Sequence, residues 1–376
     1  MKLTALILGT GFAGQGHTKA LRDVGVEVVG MVGRTPHVLE KVSAELDIPY
    51  HSTNWQQALT DLQPDIVSIG TPGGAHVAPI LAALKHGCHV FCDKPMAATA
   101  ADAKKLYEAA KAADVKTAFA ASYRYMPHIL HAKELVAQGV IGEPQEVECI
   151  SHFNLNPLIP FGWSHRLDAG GGRLNNNFTH KLSIVLHVLD GTVETISGSV
   201  RSDMDRAPVV AGVHNFKKRR DFAPKSADDP NLEWAASDAE WSYTVLAQID
   251  APQAVRQPVS ALFKHSGLQP RFNKDHIVFY GSDAAIYIEG HYGKGPLYLR
   301  IRNGAWQSLP LPAHIADTQP RIADDTQRNW TILAQKFVAD IRGTDNTTYQ
   351  TFHDGWVYQE MIEAVRTSNG RVTPLL

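Results

Sequence analysis

The chain has 376 residues, 44% apolar and 20% charged, which is the composition of soluble globular domains at a length beyond one ordinary core. A formal net charge of −2 gives no electrostatic reason to expect nucleic acid or an anionic membrane as a partner, and no apolar run approaches the ~20 residues of a bilayer span. Cys88, Cys92 and Cys149 have neither metal nor redox spacing, which fits a reducing compartment. The 18 histidines lack Glu or Cys companions at ligand spacing, so no metal site is expected. Met1-Lys2-Leu3-Thr4 leads directly into an apolar run, so no cleavable leader and a cytoplasmic location are expected.

Leu3 to Leu8 reads as a buried strand. Gly9-Thr10-Gly11-Phe12-Ala13-Gly14 follows, and then a helical pattern through His17, Ala20 and Leu21. In that context Gly9 permits the tight turn, Gly11 lets backbone approach a pyrophosphate, and Gly14 lets helix and strand pack closely. The helix start, at Phe12 and Ala13, presents free N–H groups and a positive dipole end to the phosphates of a dinucleotide. Val26 to Val32 is the second strand. An NAD site places an acidic residue about 20 residues past the glycines. Here the chain reads Gly33-Arg34-Thr35 instead. Arg34 suits a 2′-phosphate and Thr35 a hydrogen bond to it, so NADP(H) is favoured and NAD(H) is the alternative, with Arg34 then only stacking on adenine.

A helix over Pro36 to Leu46, a short strand or turn from Tyr50 and a helix over Trp55 to Leu62 come next. The fourth strand, Asp65 to Gly70, stops at Thr71-Pro72-Gly73-Gly74-Ala75-His76, where Thr71, Pro72 and His76 should border the cofactor. A helix over Ala75 to Lys85 is closed by Gly87. The strand Val90 to Cys92 then ends in Asp93-Lys94-Pro95. A lysine in the crevice beyond a parallel sheet can be desolvated and set against a reacting oxygen; the bland alternative is a solvated loop charge. A helix from Thr99 to Ala113 and a strand from Thr117 to Ala121 complete the alternation, followed by Ser122-Tyr123-Arg124-Tyr125-Met126-Pro127. The alternation predicts a doubly wound parallel sheet over residues 1–123.

Beyond a helix over Ile129 to Gln138 the pattern changes to strand-like segments: 146–152, 194–201, 241–249, 259–265, 276–280 and 284–289. Residues 124–376 should form an α+β domain with a large, mostly antiparallel open sheet. The basic run Lys217-Lys218-Arg219-Arg220 reads as solvated surface, and helices are expected over Asp324 to Ile341 and Trp356 to Thr367. Between these lies Trp163-Ser164-His165-Arg166, then Gly170-Gly171-Gly172, then Arg173-Leu174-Asn175-Asn176-Asn177-Phe178-Thr179-His180. The glycines would let the chain approach a ligand. Helical spacing puts Asn176 and His180 on one face. Trp163 could stack on a sugar ring or fill a core. Arg124, Asn175, Arg166 and His165 are further pocket candidates, with Lys264 and His265 weaker ones.

Together, Gly9 to Gly14, Thr71-Pro72 with His76, Asp93-Lys94-Pro95 in place of Glu-Lys-Pro, Tyr123-Arg124-Tyr125-Met126-Pro127 and Gly142-Glu143-Pro144 resemble the Gfo/Idh/MocA oxidoreductase family. That resemblance implies a Rossmann domain followed by a substrate and oligomerisation domain. It also implies an NAD(P)-dependent oxidoreductase acting on a sugar, polyol or sugar derivative, assembled as a homodimer or homotetramer. The family places an Asp and a His four residues apart beside its lysine. His180 matches, whereas Asn176 stands where the Asp would be and Phe178 replaces a small residue. Lys94, Asn176 and His180 are thus the expected catalytic residues, with Arg124, Trp163, Arg166 and Asn175 near the substrate. Asp93, Lys94 and Arg124 are also expected at the cofactor. Asn176 cannot relay a proton. This leaves two rivals: a redox-neutral lyase using a bound cofactor for transient oxidation, and a non-catalytic nucleotide-binding regulator.

Overall fold

A computed structural model describes residues 2–270, 275–344, 348–368, 370 and 372–374. The first half alternates strand and helix as the apolar pattern requires. Strands β1 (Thr4–Leu8), β2 (Glu27–Val32), β3 (Tyr50–Ser52), β4 (Ile66–Ile69), β5 (His89–Cys92) and β6 (Thr117–Phe119) form one parallel sheet in the order β3-β2-β1-β4-β5-β6. Helices α1 (Phe12–Asp23), α2 (Pro36–Glu45), α3 (Trp55–Leu62), α4 (Val77–Lys85) and α5 (Ala100–Ala113) make the crossovers. Helices cover both faces, which is why Ala5 to Leu8 and Ile66 to Ile69 are buried without alternation. The order reverses between β1 and β4, and a doubly wound sheet opens its ligand crevice at that point, beyond the carboxyl ends of the strands.

Helix α6 (Pro127–Ala137) leads into the second sheet. It comprises β7 (Pro144–His152), β8 (Thr192–Arg201), β11 (Ser242–Asp250), β12 (Val259–Ser266), β13 (His276–Gly281), β14 (Ala284–Glu289), β15 (Leu297–Ile301), β16 (Gln307–Leu309) and β17 (Thr373–Pro374). Their order is β16-β15-β14-β13-β7-β12-β11-β8-β17, and only the β7–β12 pair is parallel. A separate ribbon pairs β9 (Arg206–Pro208) with β10 (Trp234–Ala236). The mostly antiparallel sheet expected from the sequence is therefore present. Helix α7 (Thr179–Leu189) lies on its inner face, where Phe178 meets Tyr243 and Phe263 edge-on at 5.6 and 5.2 Å.

Three helices follow: α8 (Ala313–Ala316), α9 (Asp325–Ile341) and α10 (Phe352–Ser368). Although late in the chain, α9 returns to the first sheet, packing Trp330, Leu333 and Phe337 with Ala5, Ile7 and Leu21. Helix α10 joins the other face: Phe352, Tyr358, Met361 and Ile362 share one core with Met96, Leu106 and Phe119 and, beyond them, Phe178 and Val185. One continuous core thus holds the crevice walls together. The last helix starts four residues before the expected Trp356, because Asp354 Oδ2 accepts from the Thr351 N–H at 2.8 Å and caps the earlier turn.

Candidate active site

The turn after β1 fits a dinucleotide for steric reasons. Gly9 has φ +116°, and a Cβ there would meet Gly70 O at 2.7 Å. A Cβ on Gly14 would meet Gly9 O at 1.8 Å, so helix and strand can approach this closely only with glycine. Gly11 is different: a Cβ there would meet nothing within 4 Å, so this glycine keeps space open. Helix α1 starts with no side-chain cap and no acidic residue in its first turn. Its free N–H groups at Phe12 and Ala13 therefore suit a pyrophosphate. Arg34 is exposed at the end of β2, and Thr35 precedes α2 without a side-chain capping bond. Thr71 and Pro72 form the facing turn. His76 is buried, with Nε2 2.7 Å from Thr71 O and Nδ1 3.1 Å from Met96 O. Both its nitrogens face backbone carbonyls, so His76 ties the turn after β4 to the loop carrying Lys94.

Lys94 is half-buried and its Nζ donates to Asn176 Oδ1 at 3.0 Å. Burial, and then the Arg173 charge, lowers its pKa, while Asp93 opposes the fall. Burial in turn raises the Asp93 carboxyl to about 6 despite its neighbour Lys94. His180 stands beside them, 6% exposed, between Tyr123 (ring centroids 4.6 Å apart) and Tyr292 (5.2 Å). Burial first, then Lys94 and His291, holds its imidazole well below the usual range, so it is neutral at pH 7. No group among the described residues partners its buried Nδ1. The structure thus brings together Lys94, Asn176 and His180.

The route by which they meet differs from the expected α-helical spacing. Leu174–Phe178 form a π-turn, and α7 begins only at Thr179. Asn side chains compete with helical backbone bonds, and here they do so. Asn175 Nδ2 donates to Gly171 O at 3.0 Å, and Thr179 Oγ1 donates to the carbonyls of Leu174 and Asn175 at 3.2 and 3.0 Å. Such turns recur at functional sites. The glycine run before it also has another role than expected. A Cβ on Gly171 would strike Arg166 O and Trp163 O at 2.6 Å, and one on Gly172 would strike Glu240 Oε1 at 2.2 Å. Gly170 abuts Gly73 and Pro95. Gly170 thus lets the loops of the two halves approach, whereas Gly171 and Gly172 let this loop pack on its own preceding turn and on Glu240.

The remaining candidates separate. Asn175 is fully buried, and its Oδ1 accepts from Gln359 Nε2 at 3.0 Å, so its amide is taken up within the protein. Arg124 Nη2 donates to His187 Nδ1 at 2.6 Å on α7. Trp163 stacks on Phe216 at 5.2 Å. Arg166 is exposed and paired with Asp168. His165 is buried between Phe161 and Trp241, and burial and Arg219 push it down to about 4. Lys264 is exposed, whereas His265 is buried, 2.8 Å from Ser151 Oγ. The basic run read as solvated surface is exposed at Lys217, Lys218 and Arg220, and the correction concerns Arg219. Arg219 is only 6% exposed, and Lys217 Nζ lies 3.8 Å above the Phe12 ring, at the start of α1. His214 meets His37 of α2 at 5.6 Å, so this strap from the second half spans the mouth of the crevice.

Other side chains of the site were not anticipated. Tyr123 and Tyr292 stack at 4.4 Å; Asn177 donates to Tyr292 Oη at 3.0 Å and accepts from Tyr243 Oη at 2.5 Å. His291 Nδ1 lies 3.0 Å from Asp275 Oδ2. The available signal was Gly290 and Gly293, both at positive φ, bracketing His291-Tyr292 in a tight loop. Among the described residues no three His, Cys, Asp or Glu side chains gather as a metal site, and no helix is long and apolar enough to cross a membrane.

A switch-point crevice with a glycine turn on one wall and a lysine–histidine pair on the other defines a two-domain, dinucleotide-binding protein of the oxidoreductase type. Comparison with known proteins narrows this. Residues 3–121 match the model of the oxidoreductase family with an NAD-binding Rossmann fold, and residues 129–269 match the GFO/IDH/MocA C-terminal domain. The chain belongs to the Gfo/Idh/MocA oxidoreductase family. It is 22% identical over 218 residues to a levoglucosan dehydrogenase of Pseudarthrobacter phenanthrenivorans, covering 55% of this chain and 56% of that one. It is 30% identical over 202 residues to a 1,5-anhydro-D-fructose reductase of Ensifer adhaerens, covering 52% and 59%. The chain thus spans about half the length of the curated relatives it matches. A solved levoglucosan dehydrogenase in complex with NADH and L-sorbose has the same fold, with a TM-score of 0.82 at 16% identity over 100% of this chain and 99% of that one.

Proposed function

We propose that the protein is an NAD(P)-dependent oxidoreductase that interconverts a secondary hydroxyl and a ketone on a sugar, polyol or sugar derivative. The observation that carries this is the Lys94 ammonium, 3.0 Å from Asn176 Oδ1 and beside a buried, neutral His180. The nicotinamide, when bound, takes the hydride from carbon or returns it. In the oxidative direction the substrate hydroxyl gives its proton to His180, and Lys94 hydrogen-bonds the same oxygen as its negative charge develops. Asn176 orients Lys94 and the neighbouring hydroxyls. It adds no basicity to His180, so this histidine works without a carboxylate behind it. Gly11, the α1 start and the turn at Thr71 hold the dinucleotide. Arg34 and Thr35 are assigned to a 2′-phosphate, which favours NADP(H) over NAD(H).

We assign the protein to the cytoplasm and the open face of the second sheet, with exposed Leu246, Ile301 and Trp306, to a homodimer or homotetramer interface. The test of the activity is nicotinamide absorbance against sugars, polyols and keto-sugars, with NAD(H) and NADP(H) separately. Net absorbance change with at least one substrate supports the reading. Bound cofactor with silence across the panel, joined to cleavage of a glycoside, would replace it with the redox-neutral lyase; bound cofactor with neither turnover nor cleavage would replace it with the non-catalytic regulator, which Asn176 in place of a carboxylate favours.

A further inference from the structure

The second half of the chain holds two buried guanidinium groups near the site. Arg173 immediately precedes the π-turn that carries Asn176. It is 7% exposed, and its Nη2 has no partner among the described residues. Its guanidinium carbon lies 4.6 Å from the Trp241 ring centroid and 5.4 Å from that of Phe153. Arg219, 6% exposed, comes from the strap across the crevice mouth; it lies 4.1 Å over Phe216 and its Nη1 donates to Ser164 Oγ at 2.5 Å. The two charges repel each other, both feel Arg220, and that of Arg173 also reaches Lys94. Burial, with these neighbours, pulls Arg173 down to about 10 and Arg219 to about 9.

Among the described residues neither forms an ion pair. The Glu240 carboxylate, which also acts on Arg173, is already engaged by Arg366 Nη2 and by the Leu174 N–H, each at 2.9 Å. A buried, unpaired arginine is costly to fold around, and arginine is the side chain best matched to a planar anion. The pyrophosphate has its own place at the start of α1, on the other wall. Ring contacts join Arg173 to the site: Phe153 beneath it meets His291 at 4.6 Å, His291 meets Tyr292 at 4.2 Å, and Tyr292 meets His180 at 5.2 Å.

We propose that the substrate is an anionic sugar, a sugar acid whose carboxylate is held between Arg173 and Arg219 while the hydroxyl to be oxidised faces Lys94 and His180. This rests on the redox reading above and narrows its substrate class. The strap that carries Arg219 also places Lys217 on Phe12, so it links the carboxylate site to the cofactor turn.

The test uses the full chain saturated with NAD(P)+. Tryptophan fluorescence, with Trp241 beneath Arg173 as reporter, is followed during titration with glucuronate, gluconate, glucose 6-phosphate, glucose and inositol. The expected result is that a carboxylated sugar binds at least tenfold tighter than its neutral counterpart. Arg173→Met and Arg219→Met each abolish that difference while leaving neutral-sugar binding unchanged, and Arg173→Lys restores part of it. Equal binding of acids and neutral sugars overturns the proposal, as does failure of every acid to bind. Tighter binding of the phosphate ester than of the acids overturns the carboxylate assignment. Loss of NAD(P)+ affinity in Arg173→Met, with sugar-acid affinity intact, assigns the cation to the cofactor and also overturns it. Nicotinamide absorbance is read in parallel. Acid preference in binding without redox turnover removes the redox reading alone, whereas turnover of neutral sugars only removes the sugar-acid proposal alone.

Discussion

Asn176→Asp is the substitution whose consequence the site geometry defines best. It changes no heavy-atom count and places a carboxylate 3.0 Å from the Lys94 ammonium. At an effective dielectric of ~20 the bare attraction is about 5 kcal/mol. The lost hydration of a partly buried carboxylate and the neutral hydrogen bond it replaces cancel most of this. Charge-assisted bonds exceed neutral ones by about 1–2 kcal/mol, which is about one pKa unit on Lys94. Lys94 is lowered by burial and by Arg173, so the change restores it towards the ordinary range. His180 rises too, because the new carboxylate offsets the Lys94 charge that, after burial, pulls it down most. Acetic anhydride labelling of Lys94 across pH, read by mass spectrometry, measures the first shift. The acid limb of the pH profile of kcat/KM measures the second; the Lys94 profile should move up by about one unit and the acid limb should move up with it. An unchanged labelling profile would refute the coupling between Asn176 and Lys94.

Three further expectations concern the same walls. Gly11→Ala should leave Tm unchanged, because the new methyl meets nothing within 4 Å, yet weaken cofactor binding at least ~10-fold; Gly14→Ala, clashing with Gly9 O at 1.8 Å, should lower Tm. Equal Tm for the two variants, by differential scanning fluorimetry, would count against this account of the turn. Arg34→Ala should weaken NADP(H) binding about 10-fold more than NAD(H) binding, since only the former offers a 2′-phosphate; equal losses would remove the NADP(H) preference. Stability should fall on acidification. His17 and His165, both fully buried, sit at about 3 and about 4, below the ~6.5 of the unfolded chain, so the unfolded state binds more protons below pH 6.5. Each contributes a loss of about 1.4 kcal/mol between pH 7.5 and 5.5. Asp93, raised to about 6, opposes this by roughly 1 kcal/mol, because there the native state binds the proton. Burial also holds His180, His187 and His265 down, so urea unfolding should show a net loss of at least about 2 kcal/mol, and equal or greater stability at pH 5.5 would contradict the burial of these histidines.

The Rossmann half was legible because its constraints are local. Strands buried on both faces read as unbroken apolar runs, Gly9 is required by its positive φ, and Gly14 by its approach to Gly9 O within the same turn. Lys94 could be placed because a strand ends just before it. Asn176 and His180 were found through spacing and resemblance, although the three consecutive asparagines turn the expected helix into a π-turn. What could not be read depends on chain returning from a distance. Arg219 sits in a run of four basic residues with the composition of a solvated surface, and only the closing of the strap over Ser164 and Phe216 buries it. The packing of Gly170 and Gly172 could not be read because their partners, Gly73, Pro95 and Glu240, are remote in sequence. Helix α9 serves the first sheet for the same reason: its Trp330 fills the space left by Gly16.

The central claim is that Lys94 and His180 handle the oxygen and its proton during hydride transfer. The most direct measurement is kcat by nicotinamide absorbance for the wild type, Lys94→Met and His180→Ala, at saturating cofactor and on the best substrate of the panel, with cofactor affinity measured alongside. The account predicts that kcat falls at least ~100-fold in both variants while cofactor affinity stays within about threefold of wild type. Wild-type kcat in both variants would contradict it and move the chemistry away from this pair.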